Sequence, residues 1–551
     1  MSASHSWNLL VFRDGRRVFA ARDLLRPLRE NLDNLRSTSY LETLAARERL
    51  IETLLRSGEL ECSLADHPEC GAATEVYARL TDELSLSLVG HSNPRLPSAL
   101  LEQLSSASLP ESLVVSTPEG FSYYALHPLD YADLLTENAV DAAAAAVVGI
   151  RSIGTTLSAI VRAWFELRHI PAERITVRPT GHPFDRRLSL TEQDRRWVAS
   201  AIQRDAHFFV VDEGPGLSGS SFLAVAEALV QAGVSSDRII LLPSSTPNLS
   251  SLLASDAAAR WSRFKTIPLR STRYLPAGAE QDVGWGEWRR VVFALQQDWP
   301  GVWPWTERRK FLSADKRTLF RFDGHGHYGK VVRNRAQVLA QNGWGPESSL
   351  AGDGFSACPW IVGERPRHAD RGTVLQIARY CAFRASHFEV PSASSDELEQ
   401  MTTMNLERAL GVSQSVILPI ELPVFADARM MPHEWISTSD RRLFKVDAAS
   451  HGDDHFFPGP TDIAWDLAGA IVEWKLDDEA SDLLGSEYNR ISGDAIEGRL
   501  PGYLIAYCAF RLGFTLSAAC SINDEVESAR FRHDAETYRE KLELVLPLTV
   551  S

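Results

Sequence analysis

The sequence predicts an α/β fold in which a parallel sheet is preceded by a helical region and followed by an α+β unit. Between about residues 112 and 270, short apolar runs alternate with amphipathic helical stretches. This alternation is typical of a parallel sheet with helices on both faces. The length of 551 residues also suggests three or four folding units, at roughly 150 residues each.

The charge and the apolar pattern exclude several classes of protein. The chain has 57 Lys+Arg against 72 Asp+Glu, a net charge of −15, so we expect no bulk nucleic-acid binding, which needs a basic surface. No run of about 18 apolar residues indicates a membrane span, and the N-terminus becomes charged too early for a signal peptide. We therefore expect a cytoplasmic protein that binds phosphorylated small molecules, with no membrane partner. Whether it forms a homo-oligomer stays open.

Residues 1–110 form the first predicted region. Leucines recur at three- and four-residue spacing in ARDLLRPLRENLDNL and YLETLAARERLIETLLRSGEL, which predicts amphipathic helices. The earlier apolar run NLLVF predicts a short strand that ends at Asp14-Gly15. The sequence assigns this region no role.

Residues 111–270 contain the predicted parallel sheet. Its strands are five apolar runs: SLVVS, AAAVVGI, RITVRP, HFFVVDE and RIILLP. Helical stretches such as TTLSAIVRAWFELRH and SSFLAVAEALVQAG lie between them. This order predicts strand–helix–strand crossovers.

One of these strands leads directly into a motif that suits phosphate. Asp212 and Glu213 follow the strand, and a Gly/Ser-rich turn over residues 214–219 opens the next helix. Backbone N–H groups and the positive end of the helix dipole favour an anion there, and the serines within residues 218–221 add hydroxyl donors. The two carboxylates can hold sugar hydroxyls or stabilise a cationic transition state.

This segment resembles the ribose-phosphate signature of type I phosphoribosyltransferases, in which apolar residues precede two acids and a Thr-Gly-Gly-Thr-like loop. The resemblance implies that Asp212 and Glu213 act at the ribose hydroxyls of phosphoribosyl pyrophosphate. It also implies that the 5-phosphate is held by Ser218, Gly219, Ser220 and Ser221. In this chain one extra residue separates the acids from the loop.

A second strand–turn–helix segment, residues 146–157, lies upstream, where that family keeps its pyrophosphate loop. The resemblance implies that four of its residues face pyrophosphate and Mg²⁺: Arg151, Ser152, Gly154 and Thr155. Arg178 begins a polar segment, residues 178–187, that matches the family's mobile hood. The alternative is that each strand–glycine–helix turn is an ordinary crossover of a Rossmann-like sheet.

Residues 271–312 are predicted to be a junction because they are rich in Pro, Gly and Trp. We expect the tryptophans to form interdomain core rather than a base-stacking platform, since the chain is acidic.

Residues 313–551 form the last predicted unit, with Asp427 and Asp447 as its candidate carboxylates. Phosphoryl transfer needs one carboxylate that orients the hydroxyl nucleophile and another that holds Mg²⁺ on the phosphates. Asp427 begins the segment DARMMPHEW, and Asp447 ends the segment RLFKVD.

These segments, with TDIAWDLAG at residues 461–469, resemble motifs of aminoglycoside-phosphotransferase-like kinases. The resemblance implies that Asp427 is the catalytic-loop Asp and Asp447 the magnesium Asp. Pro432 replaces the family's Asn, so His433 or Glu434 would have to be the other metal ligand. Arg321 takes the strand position of the Lys that binds the nucleotide phosphates.

Two further motifs have alternative interpretations. Residues 324–330 fit Gly-x-Gly-x-x-Gly but follow the strand TLFRF, the wrong order for a kinase phosphate loop. His451-Gly-Asp-Asp-His455 is interpreted either as a metal site or as a polar loop facing the substrate.

The sequence thus predicts a bifunctional bacterial-type enzyme. The N-terminal half would carry out Mg²⁺-dependent phosphoribosyl transfer, and the C-terminal half would use ATP to phosphorylate a small-molecule hydroxyl. The alternative is a non-catalytic sensor that binds phosphorylated metabolites in one or both halves.

Overall fold

The structure is a computed structural model that describes residues 9–12, 15–37, 43–182, 184–453, 456 and 459–546.

The N-terminal region is helical, as predicted. Its elements are β1 (Arg16–Ala20), α1 (Ala21–Ser37), α2 (Leu44–Ala65), α3 (Gly71–Val89), α4 (Ser98–Ser106), β2 (Ser112–Ser116), α5 (Glu119–Ser122) and α6 (Asp130–Glu137). One strand prediction is wrong here, and a second predicted strand forms but belongs to another sheet. The described part of NLLVF, residues 9–12, makes only an isolated bridge between Phe12 and Phe456, and Val11 is fully buried in the C-terminal core. SLVVS forms β2, which pairs antiparallel with β1 and not with the parallel sheet.

The predicted parallel sheet is confirmed. The elements of this part of the chain are β3 (Ala145–Ile150), α7 (Gly154–Glu166), β4 (Ala172–Val177), β5 (Thr180–His182), β6 (Asp185–Arg187), α8 (Glu192–Gln203), β7 (His207–Val211), α9 (Ser220–Gln231), β8 (Ile239–Leu242), α10 (Ala257–Trp261) and β9 (Lys265–Thr266). The strand order is β4-β3-β7-β8-β9, with all neighbours parallel. Phe209 and Val211 of β7 pack in one core with the N-terminal helices, and Phe208 and Val210 pack in another with α9. Burial on both faces explains why these strands are almost continuously apolar.

A second, antiparallel sheet follows. Its elements are β10 (Gln281–Asp282), α11 (Trp288–Val292), β11 (Lys310–Leu312), β12 (Thr318–Phe322), α12 (Gly326–Gln341), β13 (Ser349–Gly352) and β14 (Phe355–Pro359). The strand order is β10-β11-β12-β14-β13. Two of these strands, β10 and β11, come from the predicted junction, so residues 271–312 contribute to this sheet.

The rest of the chain is largely helical. Its elements are α13 (Arg371–His387), α14 (Asp396–Leu410), β15 (Pro423–Phe425), β16 (Trp435–Ser437), β17 (Leu443–Lys445), β18 (Pro460–Asp462), α15 (Ala464–Glu473), α16 (Asp478–Ser492), α17 (Leu500–Ser521) and α18 (Glu525–Val545). Among the described helices, only α17 is long and apolar enough to cross a membrane. Its apolar window is 78% buried within the protein, as in a core helix.

The N-terminal helices connect the two halves. Arg47 pairs with Asp353 at 2.7 Å, and Tyr328 donates a hydrogen bond to Glu59 at 3.0 Å. Gly326 has a φ of +53°, and a Cβ at this position would lie 3.0 Å from the backbone of Glu52. The glycines of residues 324–330 therefore let α12 begin close to α2.

The tryptophans of residues 271–312 do not form a single core. Trp303 is buried in the C-terminal core, and Trp288 and Trp299 line a cavity. Trp285 and Trp305 are 41% and 43% exposed.

Two candidate ligand sites

The first candidate site lies where β3 and β7, neighbours in the parallel sheet, reach their carboxyl ends. The turn 151–153 follows β3, and Asp212 and Glu213 follow β7. A Cβ at Gly154 would lie 2.6 Å from the carbonyl oxygen of Val211, so glycine lets the start of α7 approach β7. The structure therefore brings the two predicted loops together at one sheet edge.

The acidic pair is partly buried at the end of β7. Within the described residues, neither Asp212 nor Glu213 has a salt bridge within 4 Å. Asp212 accepts a hydrogen bond from the backbone of Glu213, and Glu213 accepts one from the backbone of Gly120, both at 2.8 Å. Burial raises the pKa of Asp212 to about 7. Burial, with the charges of Glu119 and Asp212, raises the pKa of Glu213 to about 8.

The predicted arginines of this site are held by the C-terminal end of α2. Arg151 donates hydrogen bonds to Asp66 at 2.8 Å and to the carbonyl of Thr176 at 2.7 Å. Arg178 donates to Asp66 at 2.7 Å and to the Cys62 sulfur at 3.3 Å. Asp66 thus holds both guanidinium groups beside the loop.

The remaining predicted residues form the two helix starts. Gly219, with a φ of +69°, is the N-cap of α9. Ser218 donates a hydrogen bond to the Ser220 hydroxyl at 2.9 Å and accepts one from the Ser220 backbone at 3.2 Å. Three of the others lie in the first turns of α7 and α9 or just before them: Ser152, Thr155 and Ser221.

The second candidate site is a cavity of about 460 Å³ between the antiparallel sheet and the helical part. Lys310 and Arg321 line it from the sheet side, where they are cross-strand partners on β11 and β12. Glu434, Lys445 and Asp447 line it from the other side.

Asp447 meets the two cations of the sheet. Lys310 donates a hydrogen bond to its Oδ2, and Arg321 Nη1 lies 3.5 Å from its Oδ1. Although burial would raise the pKa of Asp447, Lys310 and Arg321 hold it well below its usual value. The cavity therefore has a cationic wall, and Asp447 is charged at neutral pH.

Asp427 is fully buried and surrounded by polar partners. Its Oδ1 lies 2.9 Å from His451 Nδ1 and 3.2 Å from Lys445 Nζ. Its Oδ2 accepts a hydrogen bond from Tyr380. Asp466 accepts hydrogen bonds from the backbone N–H groups of Asp427 at 2.9 Å and Ala428 at 3.0 Å, which fixes this loop.

Sequence reasoning missed two lysines of the cavity. Lys310 is the cross-strand partner of Arg321 in the hairpin formed by RKFLSADKRTLFRF. The polar turn between two apolar runs is a hairpin signal that could have placed Lys310 there. Lys445 lies two residues before Asp447, but its contact with Asp427 and Glu434 depends on tertiary folding. Of the loop His451–His455, the last two residues lie outside the described part of the chain.

Residues 119–124 connect the two sites. The backbone of Gly120 donates to Glu213 in the first site. Tyr123 lines the cavity of the second site and donates to the carbonyl of Thr306 at 2.6 Å. Arg308 stacks over the Tyr123 ring at 4.3 Å. One short segment therefore contacts both candidate sites.

Comparisons with known proteins find no matching family model and no matching curated protein. Solved structures that match include choline kinase LicA from Streptococcus pneumoniae, with 14% identity, a TM-score of 0.29, and coverage of 42% of this chain and 89% of that chain. A choline/ethanolamine kinase family protein from Mesorhizobium loti has 17% identity and a TM-score of 0.30, covering 48% and 94%. An aminoglycoside phosphotransferase from Alicyclobacillus acidocaldarius has 10% identity and a TM-score of 0.24, covering 51% and 98%. These matches are to kinases and give no support to the phosphoribosyltransferase resemblance. Since the TM-scores are low, a function has to be argued from the sites themselves.

Proposed function

We propose that the C-terminal cavity binds ATP and transfers its terminal phosphoryl group to a hydroxyl of a small molecule. The observation that carries this proposal is the meeting of Lys310 and Arg321 with Asp447 across the cavity. Protein kinases place a phosphate-binding cation on the third strand of their sheet and a magnesium-binding aspartate in the facing lobe. Arg321 lies on β12, the third strand of this sheet in chain order.

The residues of the cavity suit this chemistry. Lys310 and Arg321 would hold phosphate oxygens, since both are fixed donors in a buried site. Asp447 offers the carboxylate oxygens that Mg²⁺ prefers, and Mg²⁺ when bound neutralises charge on the phosphates. Phosphoryl transfer depends mainly on positioning and electrostatics, which a preorganised cationic wall provides.

Asp427, predicted to orient the nucleophile, has a different role in this proposal. Its side chain is fully buried and, unlike Lys445 and His451, it does not line the cavity, so it does not contact a ligand there. It instead fixes Lys445 and His451, both of which line the cavity. We therefore treat Asp427 as a positioning residue.

The test measures ATP binding by calorimetry and ADP release in the presence of Mg²⁺ and a metabolite extract. Lys310→Met and Asp447→Asn should lose both signals. The matched controls are Lys330→Met and Asp141→Asn, because both residues are exposed and lie outside the cavity. ATP binding equal in wild type and Lys310→Met would refute the proposal.

A second candidate function is phosphoribosyl transfer at the first site. It is favoured by the pair Asp212 and Glu213, whose pKa values are raised by desolvation, beside two helix starts on one sheet edge. Carboxyl groups that titrate near neutral pH can donate to or accept from sugar hydroxyls, and helix starts bind phosphate. The alternative, a sensor, makes the same contacts without turnover.

Phosphoribosyl pyrophosphate with Mg²⁺ and a metabolite extract, which supplies the nucleophile that accepts the phosphoribosyl group, distinguishes these cases. An enzyme releases pyrophosphate from the wild type but not from Asp212→Asn/Glu213→Gln. A sensor binds the ligand without release, and the double variant loses binding. If wild type and double variant bind equally, the ribose-phosphate assignment fails.

A further inference from the structure

Lys445 lies at the centre of a set of metal-type ligands. Asp427, Glu434 and His451 each offer one ligand atom, and these atoms lie within 4.8 Å of one another. Two carboxylates and an imidazole are donor types that suit a divalent cation such as Mn²⁺. The kinase resemblance also predicts a metal ligand at Glu434.

The position between the carboxylates is already taken. Lys445 Nζ lies 3.2 Å from Asp427 Oδ1 and donates to Glu434 Oε2 at 2.8 Å and to the Val446 carbonyl at 3.2 Å. An ammonium has three N–H donors, so all are used. A metal ion bound to both carboxylates, at about 2.0–2.1 Å for Mg²⁺, would have to occupy the same space. The residues therefore do not fit a metal at this position.

We propose that the Lys445 ammonium replaces a divalent cation between Asp427 and Glu434, so that of the three carboxylates Asp427, Glu434 and Asp447 it is Asp447 that binds a metal. Two magnesium ions are the usual number in protein kinases. This inference rests on the proposed phosphoryl transfer, because it concerns the metal ions of that reaction. The contacts of Lys445 can be tested without turnover.

The contacts of Lys445 suit an ammonium. Asp427 Oδ1 lies 3.2 Å and Glu434 Oε2 lies 2.8 Å from its Nζ, so two carboxylates face one cation. The side chain of Lys445 is 0% exposed, so it does not exchange freely with solvent cations. His451 contacts both carboxylates. Its Nδ1 lies 2.9 Å from Asp427 Oδ1, and its Nε2 lies 3.8 Å from Glu434 Oε1.

The test counts bound Mn²⁺ on the full chain by electron paramagnetic resonance, without nucleotide and without turnover. We expect at most one ion in the wild type, lost in Asp447→Asn and unchanged in Glu434→Gln. Two ions in the wild type, or a count that falls in Glu434→Gln, overturn the proposal.

The variant Lys445→Met removes the ammonium group from the space between Asp427 and Glu434. We expect one more bound Mn²⁺ than in the wild type, and return to the wild-type count in Lys445→Met/Glu434→Gln. Lys445→Arg, which keeps a cation, should gain no ion. A folded Lys445→Met that gains no Mn²⁺ overturns the proposal. If this variant does not fold, the wild-type and Glu434→Gln counts decide.

Failure of the proposed phosphoryl transfer gives a different result. In that case ATP binding and ADP release are absent, while the Mn²⁺ counts still follow Lys445. Conversely, if the wild type releases ADP and binds two Mn²⁺ ions, the proposed phosphoryl transfer is supported. The proposal that Lys445 replaces a metal ion is then wrong.

Discussion

The two candidate sites use the same acidic residue types in opposite electrostatic settings. At the edge of the parallel sheet, burial raises the pKa of Asp212 to about 7 and of Glu213 to about 8. In the C-terminal cavity, Lys310 and Lys445 hold the pKa values of Asp447 and Asp427 below their usual range, against the effect of burial. The same residue types therefore have different properties at the two sites. Nearby cations determine whether a carboxyl group stays charged, and this in turn determines whether the site suits hydroxyl groups or phosphates.

Lys445→Met should have the largest effect on stability. It leaves Asp427 and Glu434 buried without their shared cation, and breaking a buried ion pair typically costs about 3–5 kcal/mol. Urea unfolding without added metal measures the loss. Lys330→Met, on the exposed face of α12, should stay within about 0.5 kcal/mol of the wild type. Equal stability of the two variants would mean that the buried carboxylates are not charged.

Lys310→Met should have the largest effect on activity. Removing one preorganised donor from a site that stabilises developing negative charge typically costs about 100- to 1,000-fold in rate. Lys310→Arg should retain part of the activity, because a cation remains opposite Asp447. ADP release measured over a range of ATP concentrations gives kcat/KM, in which the loss appears. A loss confined to ATP affinity would place Lys310 in ground-state binding only.

The positions of the site residues can be predicted from the sequence more completely at the first site than in the C-terminal cavity. The acidic pair and its loop are contiguous in the chain, so the strand and helix pattern around Asp212 places them together. The cavity joins residues that are far apart, such as Lys310 and Asp447, which meet only through sheet register and packing between lobes. The pairing of Arg178 with Asp66 is equally non-local, so its guanidinium could not be placed from the hood segment alone.

The double variant Asp212→Asn/Glu213→Gln tests whether the raised pKa values at the first site make the stability of the protein depend on pH. Carboxyl groups whose pKa is raised in the folded state stabilise it fully only below their unfolded pKa of about 4, and that contribution is lost as the pH rises from there through the folded pKa values, here about 7 and 8. The double variant should therefore be more stable than the wild type at pH 8.5, by roughly 1–3 kcal/mol, and the difference should become small at about pH 4. Urea unfolding at both values measures the difference, with Asp141→Asn as control. A variant less stable at pH 8.5 would indicate that the acids are compensated.

Tyr123→Phe should have the smallest effect and tests whether the two sites communicate. It removes one buried hydrogen bond, from Tyr123 to the Thr306 carbonyl, which costs about 0.5–1.5 kcal/mol. The variant keeps the aromatic ring that stacks against Arg308. The shape of the cavity is therefore retained, and we expect ATP affinity to be unchanged. If residues 119–124 couple the sites, phosphoribosyl pyrophosphate shifts ATP affinity in the wild type, and the shift shrinks in Tyr123→Phe. By linkage, ATP must shift the affinity for phosphoribosyl pyrophosphate by the same factor, which calorimetry can check in both directions. No shift in either direction would show that the segment supports the fold without coupling the two sites.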